Sequence, residues 1–359
     1  MTVTEKGIAV TARQNASVFV VGCPRSGTTL LYNMLLSSGD FAIYLAESNV
    51  FNLLVPRFGE LGVRANREKL IEAWLRSKLF RASFLDAEKL RARILSECRN
   101  GGDFLRIVMQ EIAASQGARR WADNSPEELL HALAIKKSIP DALFIHMIRD
   151  GRDVSLSLDA RPHKWVRPFP WDRENSLLVT GVFWEWMVQG GRKQGKSLGA
   201  DYMEVRFEDL QSDPRTVLEK IGRFIQHDLN YERIMQVGIG SVRDPNTSFK
   251  GESGSPVGRW RKKMSPEKLA MFEHLVGGTL KSLGYPLAGS DGEVNPLAVK
   301  RMKTFYRAYL DAKFWFKNSP LGRLYLGPMS GEQIDQTVIA TDPAAQNLRP
   351  ISPEKYTPH

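Results

Sequence analysis

The sequence that decides the fold reads Val18-Phe-Val-Val-Gly-Cys-Pro-Arg-Ser-Gly-Thr-Thr-Leu-Leu-Tyr-Asn-Met-Leu-Leu36. An apolar, β-branched run leads into a loop of small residues, after which apolar residues recur at helical spacing. This pattern predicts a buried strand, a tight turn and a helix. Gly22 and Gly27 allow the backbone to wrap closely around a ligand, and a loop that opens a helix directs unpaired N–H groups at it. The stretch therefore predicts an anion-binding site.

The residues around the glycines exclude two classes of anion-binding loop. Thr28 and Thr29 stand where a nucleotide triphosphatase carries Lys followed by Ser or Thr. That lysine reaches the β- and γ-phosphates, so its absence argues against a triphosphate ligand. A phosphatase with Cys23 as its nucleophile needs an arginine six residues later, where Thr29 stands. The cation of this loop is instead Arg25, which lies inside the loop.

The loop Gly22-Cys-Pro-Arg-Ser-Gly-Thr-Thr29 resembles the 5′-phosphosulfate loop of sulfotransferases that use 3′-phosphoadenosine 5′-phosphosulfate (PAPS). Its Pro-Arg form resembles the bacterial and tyrosylprotein branches of the family. Three further stretches resemble later landmarks of the family in the same order. These are Arg149 with Ser157 (the 3′-phosphate motif), Val205-Arg-Phe-Glu-Asp-Leu210 with Asp213-Pro214, and Gly258-Arg-Trp260 (the late nucleotide loop). The resemblance thus extends over residues 18–286.

The resemblance implies an enzyme that moves a sulfuryl group from PAPS to a hydroxyl or amine of an acceptor. It implies that the 5′-phosphosulfate is bound by Cys23, Pro24, Arg25, Ser26, Gly27, Thr28 and Thr29, and the 3′-phosphate by Arg149 and Ser157. An arginine offers a planar fork of donors that suits phosphate. Arg25 is also expected to act in catalysis by stabilising charge on the leaving phosphate. Glu47 is the expected general base, because it resembles the catalytic glutamate of the tyrosylprotein branch in its distance after the loop.

The chain departs from the family pattern in the segment Asp123-Asn-Ser-Pro126, where Asn124 replaces a lysine that the family often shows. Leu30 stands where the cytosolic branch has the tryptophan that stacks on adenine. The departure at Asn124 leaves a second hypothesis open, a non-catalytic relative that still binds the nucleotide. A kinase or hydrolase is a weaker alternative, because Thr28 replaces the essential lysine.

Composition narrows the class of protein further. The 359 residues, 42% of them hydrophobic, are enough to bury one large core. The net charge of +10 favours anionic partners, and a nucleotide donor is such an anion. No nucleic-acid-binding motif stands out, so we expect no nucleic-acid partner. We expect a cytoplasmic protein for three reasons. The chain has only two cysteines, it shows no signal peptide, and it contains no apolar run of the ~20 residues that span a bilayer. No His/Cys cluster occurs, so no metal is expected.

Strands that alternate with helices predict a single α/β domain with a largely parallel sheet over residues 16–287. Both anion-binding loops follow buried strands, so both should open at the carboxyl edge of that sheet. A short second strand is expected at 41–47, followed by a helical insert at about 51–120 that can serve as a lid over the acceptor. No motif in that insert identifies the acceptor.

The C-terminal region has a different character. A basic aromatic helix is predicted over 295–326, with its apolar stripe docked on the core. Such a helix can also lie on an anionic membrane surface, and this alternative stays open. The polar tail, 329–359, is expected to be disordered.

Overall fold

The centre of the molecule is a four-stranded sheet, seen in a computed structural model that describes residues 13–160, 166, 168–243, 255–289 and 294–337. Its strands are β1 (Val18–Gly22), β2 (Ala122–Asp123), β3 (Leu143–Ile148) and β4 (Tyr202–Arg206). All three pairings are parallel, and the strand order is β2-β1-β3-β4. Every residue of β1 and β3 is buried, as is usual for parallel strands that helices cover on both faces. The predicted α/β fold with a parallel sheet is confirmed.

Helices surround the sheet and make up most of the described chain. In chain order they are α1 (Thr28–Ser37), α2 (Val55–Phe58), α3 (Arg64–Leu75), α4 (Lys78–Ser83), α5 (Ala87–Glu97), α6 (Gly101–Gln116), α7 (Ala132–Ser138), α8 (Gly151–Asp159), α9 (Ser176–Leu198), α10 (Phe207–Ser212), α11 (Pro214–Ile225), α12 (Tyr231–Val237), α13 (Trp260–Lys263), α14 (Pro266–Ser282), α15 (Pro296–Asn318), α16 (Pro320–Leu326) and α17 (Gly331–Thr337). A π-helical turn (Val50–Leu54) precedes α2, and a 3₁₀ helix (Pro126–His131) precedes α7. Residues 51–120 are therefore largely helical, as predicted; whether they act as a lid stays a prediction.

The two strands that precede the anion-binding loops are neighbours in the sheet. β1 and β3 pair in register from Val18 with Leu143 to Gly22 with Met147. The chain leaves β1 for α1 and leaves β3 for α8, so both loops open at the same carboxyl edge. This is the edge at which parallel α/β sheets bind their ligands.

The segment 41–47 is not the second strand that the sequence predicts. Phe41 forms only an isolated bridge with Arg120, and the strand beside β1 is β2 instead. The reason lies in Gln116, whose side chain accepts a hydrogen bond from the Ile43 N–H at 2.7 Å and donates one to the Ile43 carbonyl at 3.0 Å. The carbonyl of Tyr44 accepts a hydrogen bond from a tyrosine hydroxyl. Side chains thus occupy backbone groups that a neighbouring strand would otherwise bind.

The C-terminal region differs from its prediction in two ways. The single helix expected over 295–326 is divided into α15 and α16, because Ser319 precedes a proline and takes an extended conformation, with ψ 157°. Helix α17 forms within the tail that was expected to be disordered. Its Ile334 is fully buried, and its Asp335 accepts a hydrogen bond from the Lys78 N–H at 2.5 Å. Residues 338–359 lie outside the described residues.

Helix α15 docks on the core, as the sequence predicts. Val299, Tyr306 and Leu310 form its buried face and belong to the main apolar cluster. Lys303 donates to the carboxylate of Glu185 on α9 at 2.9 Å, which fixes the helix laterally. No helix in the described part of the chain is both long enough and apolar enough to cross a membrane.

Candidate active site

The loop between β1 and α1 has a backbone that suits an anion. Gly27 has φ 93°, in the left-handed region, and a Cβ atom there would collide with the ring of Phe207. Arg25 also has a positive φ, 75°. No side chain caps α1, so the N–H groups of its first turn lack intrahelical partners at the loop. A glycine is therefore required at position 27 for two independent reasons, its φ and its close contact.

Side chains from the two anion-binding loops meet at the sheet edge. The Nε of Arg25 donates a hydrogen bond to the Oγ of Ser157 at 2.9 Å, across 132 residues of sequence. The Nη1 of Arg149 donates to the carbonyl oxygen of Arg25 at 3.0 Å. The structure thus brings together three of the residues that the sequence singled out, and Arg25 links the two loops.

Arg149 is a buried cation, 4% exposed. Its guanidinium carbon lies 4.5 Å from the ring centre of Phe207, and its Nη2 donates to the carbonyl of Pro256 at 2.5 Å. Burial lowers the pKa of the Arg149 guanidinium. The adjacent Asp150 forms its ion pair with Arg152 instead, at 2.8 Å. Among the described residues, the charge of Arg149 therefore has carbonyl partners but no ion-pair partner.

The charged residues beside Arg149 hold the 258–260 segment in place. Asp153 accepts hydrogen bonds from the N–H groups of Gly258 and Trp260 at 2.7 and 3.0 Å. The guanidinium of Arg152 lies 3.7 Å from the ring centre of Trp260 and pairs with Glu273 at 2.7 Å. These contacts fasten the 258–260 segment to the helix that carries Ser157. Asp150, Arg152 and Asp153 therefore all have partners within the protein.

The remaining loop residues are closely packed. Cys23, Pro24, Ser26 and Thr28 are buried, and Thr29 is half-buried. Burial, assisted by the charge of Glu127, raises the pKa of the Cys23 thiol well above its ordinary value. A neutral, buried thiol is a poor nucleophile, which agrees with the exclusion of a cysteine phosphatase. The hydroxyl of Ser26 is buried and has no hydrogen-bond partner among the described residues.

Glu47 is half-buried and lies beside the segment that follows β2. Its carboxylate accepts a hydrogen bond from the Nδ2 of Asn49 at 3.4 Å. Asn49 has a positive φ, 49°, and its N–H donates to the Oγ of Ser125 at 3.1 Å. Ser125 is thus a tether for the Glu47 segment rather than the side-chain cap of the helix that starts at Pro126.

A group of polar residues near Glu47, all but one of them buried, was not recognised in the sequence. We call it the acid cluster; it consists of Asn52, Asp123, Glu128 and Lys317. Burial raises the pKa of Asp123 to about 6 and that of Glu128 to about 8. The Oε1 of Glu128 accepts hydrogen bonds from the N–H groups of Phe51 and Asn52 at 2.8 and 3.3 Å. Neither carboxylate oxygen of Asp123 has a hydrogen bond of normal geometry among the described residues.

Lys317 joins the acid cluster from the far end of the chain. Its Nζ donates to the Oδ1 of Asn52 at 2.6 Å, across 265 residues of sequence, and burial lowers the pKa of its ammonium group. The sequence carried no local signal for this arrangement. Glu128 looks like an ordinary acid in the first turn of a helix, and Lys317 looks like a solvated lysine of a basic helix.

The family profile described as "Sulfotransferase family" matches residues 17–232, more than half of the chain. The chain belongs to the sulfotransferase family. The resemblance seen in the sequence is thereby confirmed, and sulfuryl transfer is the activity that it supports. The matched part of this sulfotransferase contains both anion-binding loops, Glu47 and Asp123, whereas α15 and α16 lie beyond it.

Two relatives share much of the chain at low identity. This sulfotransferase is 23% identical over 321 residues to protein-tyrosine sulfotransferase A of Caenorhabditis elegans, covering 86% of this chain and 77% of the relative. It is 26% identical over 219 residues to protein-tyrosine sulfotransferase of Drosophila melanogaster, covering 59% of this chain and 38% of that protein. The sulfotransferase domain of the Synechococcus PCC 7002 olefin synthase is similar with a TM-score of 0.50 and 19% identity, over 76% of this chain and 95% of that domain. The structural likeness supports the fold.

Proposed function

We propose that this sulfotransferase takes its sulfuryl group from PAPS, and that Arg149 and Ser157 bind the 3′-phosphate of that donor. The buried guanidinium of Arg149 carries this proposal, because its hydrogen bonds go to carbonyl groups and no ion pair matches its charge in the described chain. Asp153 and Glu208 act on this charge without pairing with it directly, and a buried cation with no carboxylate in contact is stabilised by an anionic ligand. A phosphate would meet a planar fork of donors beside a serine hydroxyl.

The 5′-phosphosulfate would lie in the loop formed by residues 23–29. The first N–H groups of α1, the Ser26 hydroxyl and the hydroxyls of Thr28 and Thr29 supply donors, and Arg25 supplies the charge. Donors held at a helix start are well placed to stabilise charge as it grows on the leaving phosphate. Arg25 also donates a hydrogen bond to Ser157. Ser157, which would bind the 3′-phosphate, therefore orients Arg25, which would face the leaving phosphate.

In the proposed reaction, an acceptor oxygen or nitrogen attacks the sulfur atom of PAPS. The bond between sulfur and the phosphate oxygen breaks, the acceptor is sulfated, and 3′-phosphoadenosine 5′-phosphate (PAP) leaves. Glu47 takes the acceptor proton, and its contact with Asn49 holds it near the acid cluster. The acid cluster is then the acceptor end of the site, and the two anion-binding loops are the donor end.

The donor assignment is tested by binding measurements on two nucleotides. We expect Arg149→Ala to weaken PAP by ~10- to ~150-fold, the effect of losing a charge-assisted hydrogen bond of roughly 1.5–3 kcal/mol. Adenosine 5′-phosphosulfate lacks the 3′-phosphate and should bind almost unchanged. Calorimetry without magnesium measures both.

A matched control comes from Arg67 in the helical insert. It is also buried and also donates to backbone carbonyls, those of Leu61 and Gly62. Arg67→Ala should leave both nucleotide affinities unchanged. Equal losses for PAP and adenosine 5′-phosphosulfate in Arg149→Ala would contradict the proposal, as would tight binding of ATP that requires magnesium.

A second experiment separates the enzyme from a non-catalytic relative. The protein is incubated with sulfur-labelled PAPS and a cell extract, and mass spectrometry identifies the labelled product. Tyrosyl peptides form a second arm, since the two similar relatives are protein-tyrosine sulfotransferases. A labelled product identifies the acceptor class. PAP binding without any transfer would favour the non-catalytic relative.

A further inference from the structure

The turn from α15 into α16 exposes an unusual number of large apolar side chains. Twelve such side chains are exposed in the described chain, and five of them lie between residues 315 and 326. We call these five the elbow surface: Trp315, Leu321, Leu324, Tyr325 and Leu326, with exposed fractions of 63%, 56%, 83%, 80% and 39%. Single exposed apolar residues are normal, but a group of them marks an interaction site.

The elbow surface is a helix face rather than a frayed end. Leu321, Leu324 and Tyr325 follow the i, i+3, i+4 spacing, so they share one side of α16. The start of α16 is capped by the Oγ of Ser319, which accepts a hydrogen bond from Gly322 N–H at 3.0 Å.

Two further contacts fix the end of α16. The guanidinium of Arg57 donates to the carbonyls of Leu326 and Gly327 at 2.9 and 2.7 Å. The ring of Tyr325 lies 6.0 Å from that of Phe316 on α15. The apolar face is therefore held outward by a fixed scaffold.

Strong positive charge accompanies this face. The segment from 296 to 326 contains seven Lys or Arg residues and one acid, Asp311, which gives it +6 of the net charge of +10. Lys303 and Arg307 pair with Glu185, whereas Lys300, Arg301 and Lys313 are exposed. Trp315 and Lys313 lie two residues apart in the same exposed turn.

We propose that the elbow surface docks this protein on an anionic lipid bilayer, with its aromatic and leucine side chains in the interface and the exposed lysines and arginine attracted to the head groups. Trp and Tyr prefer the region where an apolar layer meets water, and each cation near an anionic surface strengthens binding about fivefold. A second copy of the chain fits less well, because a symmetric contact would oppose the two +6 segments. Residues 338–359 carry two acids and two basic residues, so they do not complement the charge either.

The inner side of the same helix end reaches the acceptor end of the site. Lys317 is two residues from Trp315 and donates to Asn52 in the acid cluster. A bilayer on the elbow surface would therefore adjoin the acceptor end. The docking itself needs neither donor nor acceptor, so it can fail or hold independently of the proposed function.

The test is co-sedimentation of the full chain with two kinds of vesicle, phosphatidylcholine alone and an equal mixture with phosphatidylglycerol. We expect binding to the anionic vesicles, weakened by salt, and little binding to phosphatidylcholine. The variant Trp315→Ser/Leu324→Ser/Tyr325→Ser should bind roughly a hundredfold more weakly, since three large apolar side chains are lost from the interface. Lys313→Gln should reduce affinity about fivefold.

The matched control is Phe84→Ser/Trp171→Ser, which removes two aromatic residues that are 51% and 70% exposed and lie outside the elbow surface. This control should bind vesicles like the unmodified protein. The proposal is overturned if the unmodified protein ignores anionic vesicles or if the triple variant binds them equally well. It is also overturned if ultracentrifugation shows that the unmodified protein is a dimer and the triple variant is a monomer. The same holds if vesicles bind only a chain that ends at residue 337.

Discussion

The proposed donor end and the proposed acceptor end of this site are built in opposite ways. At the donor end, Arg25, Arg149 and Ser157 come from the residues that follow two neighbouring strands, and their charge is positive. At the acceptor end, Asn52 and Lys317 are 265 residues apart, and the ionisable side chains around them are mostly acids. Residues that are close in sequence can form a site for an anion, so a local motif reveals it. A cluster of charged side chains from distant parts of the chain forms only when the chain folds, so no local motif reveals it.

Burial also acts differently on the two ends. Arg149 retains its charge because arginine remains protonated even when burial lowers its pKa. Glu128 responds to burial by a pKa raised to about 8, so its carboxyl group holds a proton at neutral pH. The proposed donor end therefore carries a positive charge that suits an anion. At the proposed acceptor end, the carboxyl group of Glu128 is uncharged and suits hydrogen bonding.

The largest expected effect is a loss of turnover without a loss of PAP affinity, caused by a substitution at the proposed acceptor end. Glu47→Gln should lower turnover by ~10² or more, because it removes the proposed base, and should leave PAP affinity unchanged. Transfer from labelled PAPS and calorimetry measure the two quantities. Glu60→Gln, an exposed acid in the helical insert that follows Glu47, is the control and should change neither. Unchanged turnover in Glu47→Gln would move the base to Asp123, and a weaker PAP affinity would assign Glu47 to the donor end.

A smaller effect is expected from the loop glycine of the donor end. Gly27→Ala and Gly117→Ala both place a side chain at positive φ, 93° and 66°, which costs roughly 1–2 kcal/mol. Only at position 27 does the new Cβ meet the ring of Phe207; nothing lies within 4 Å at position 117. Gly27→Ala should therefore lose about 1–3 kcal/mol more stability and bind PAP about tenfold more weakly.

The comparison of the two glycine variants is checked by thermal unfolding and calorimetry. Because Arg149 packs on Phe207, a displaced ring should disturb the proposed 3′-phosphate site as well. Phe207→Leu combined with Gly27→Ala should recover part of the lost stability by making room. If the two alanine variants unfold at the same temperature, the contact with Phe207 is not the constraint.

The smallest effect concerns the pH dependence of stability at the acceptor end. Burial raises the pKa of Glu128 from 4.5 to about 8, so the stability that its proton provides is fully present below pH 4.5 and is lost as the pH rises through 8. Glu128→Gln cannot lose a proton and keeps the oxygen that accepts from Phe51 and Asn52. Its Tm should equal that of the unmodified protein in acid and exceed it by several °C above pH 8, because only the unmodified protein must then carry a charge at this buried position.

Glu127 provides the control for this pH dependence. It is half-buried, next in sequence, and its carboxylate accepts from the Nδ2 of Asn52 at 3.0 Å. Glu127→Gln should show no gain in Tm that appears only at high pH. An equal gain in both variants would mean that the pH dependence comes from the net charge of the cluster and not from burial of Glu128.

The sequence by itself determined the parallel sheet and the meeting of the loops that follow β1 and β3. The strand, loop and helix of residues 18–36 are specified by residues that are close in sequence, because glycine geometry and apolar spacing act locally. Arg149 and Ser157 lie on one short turn and the helix it opens, and parallel strands place their carboxyl ends on one edge. Convergence of the two loops could therefore be predicted before any contact was known.

Only the tertiary structure decided the rest. Segment 41–47 has the composition of a strand, but the side chain of Gln116 takes its backbone hydrogen bonds. The acid cluster depends on Asn52 and Lys317, which no local pattern connects, and the exposure of the elbow surface depends on which side of α15 meets the core. Residues that are neighbours in sequence determine φ, helix capping and the periodicity of apolar side chains. Burial and long-range pairing depend on which other elements pack nearby, and those neighbours are established only when the whole chain is folded.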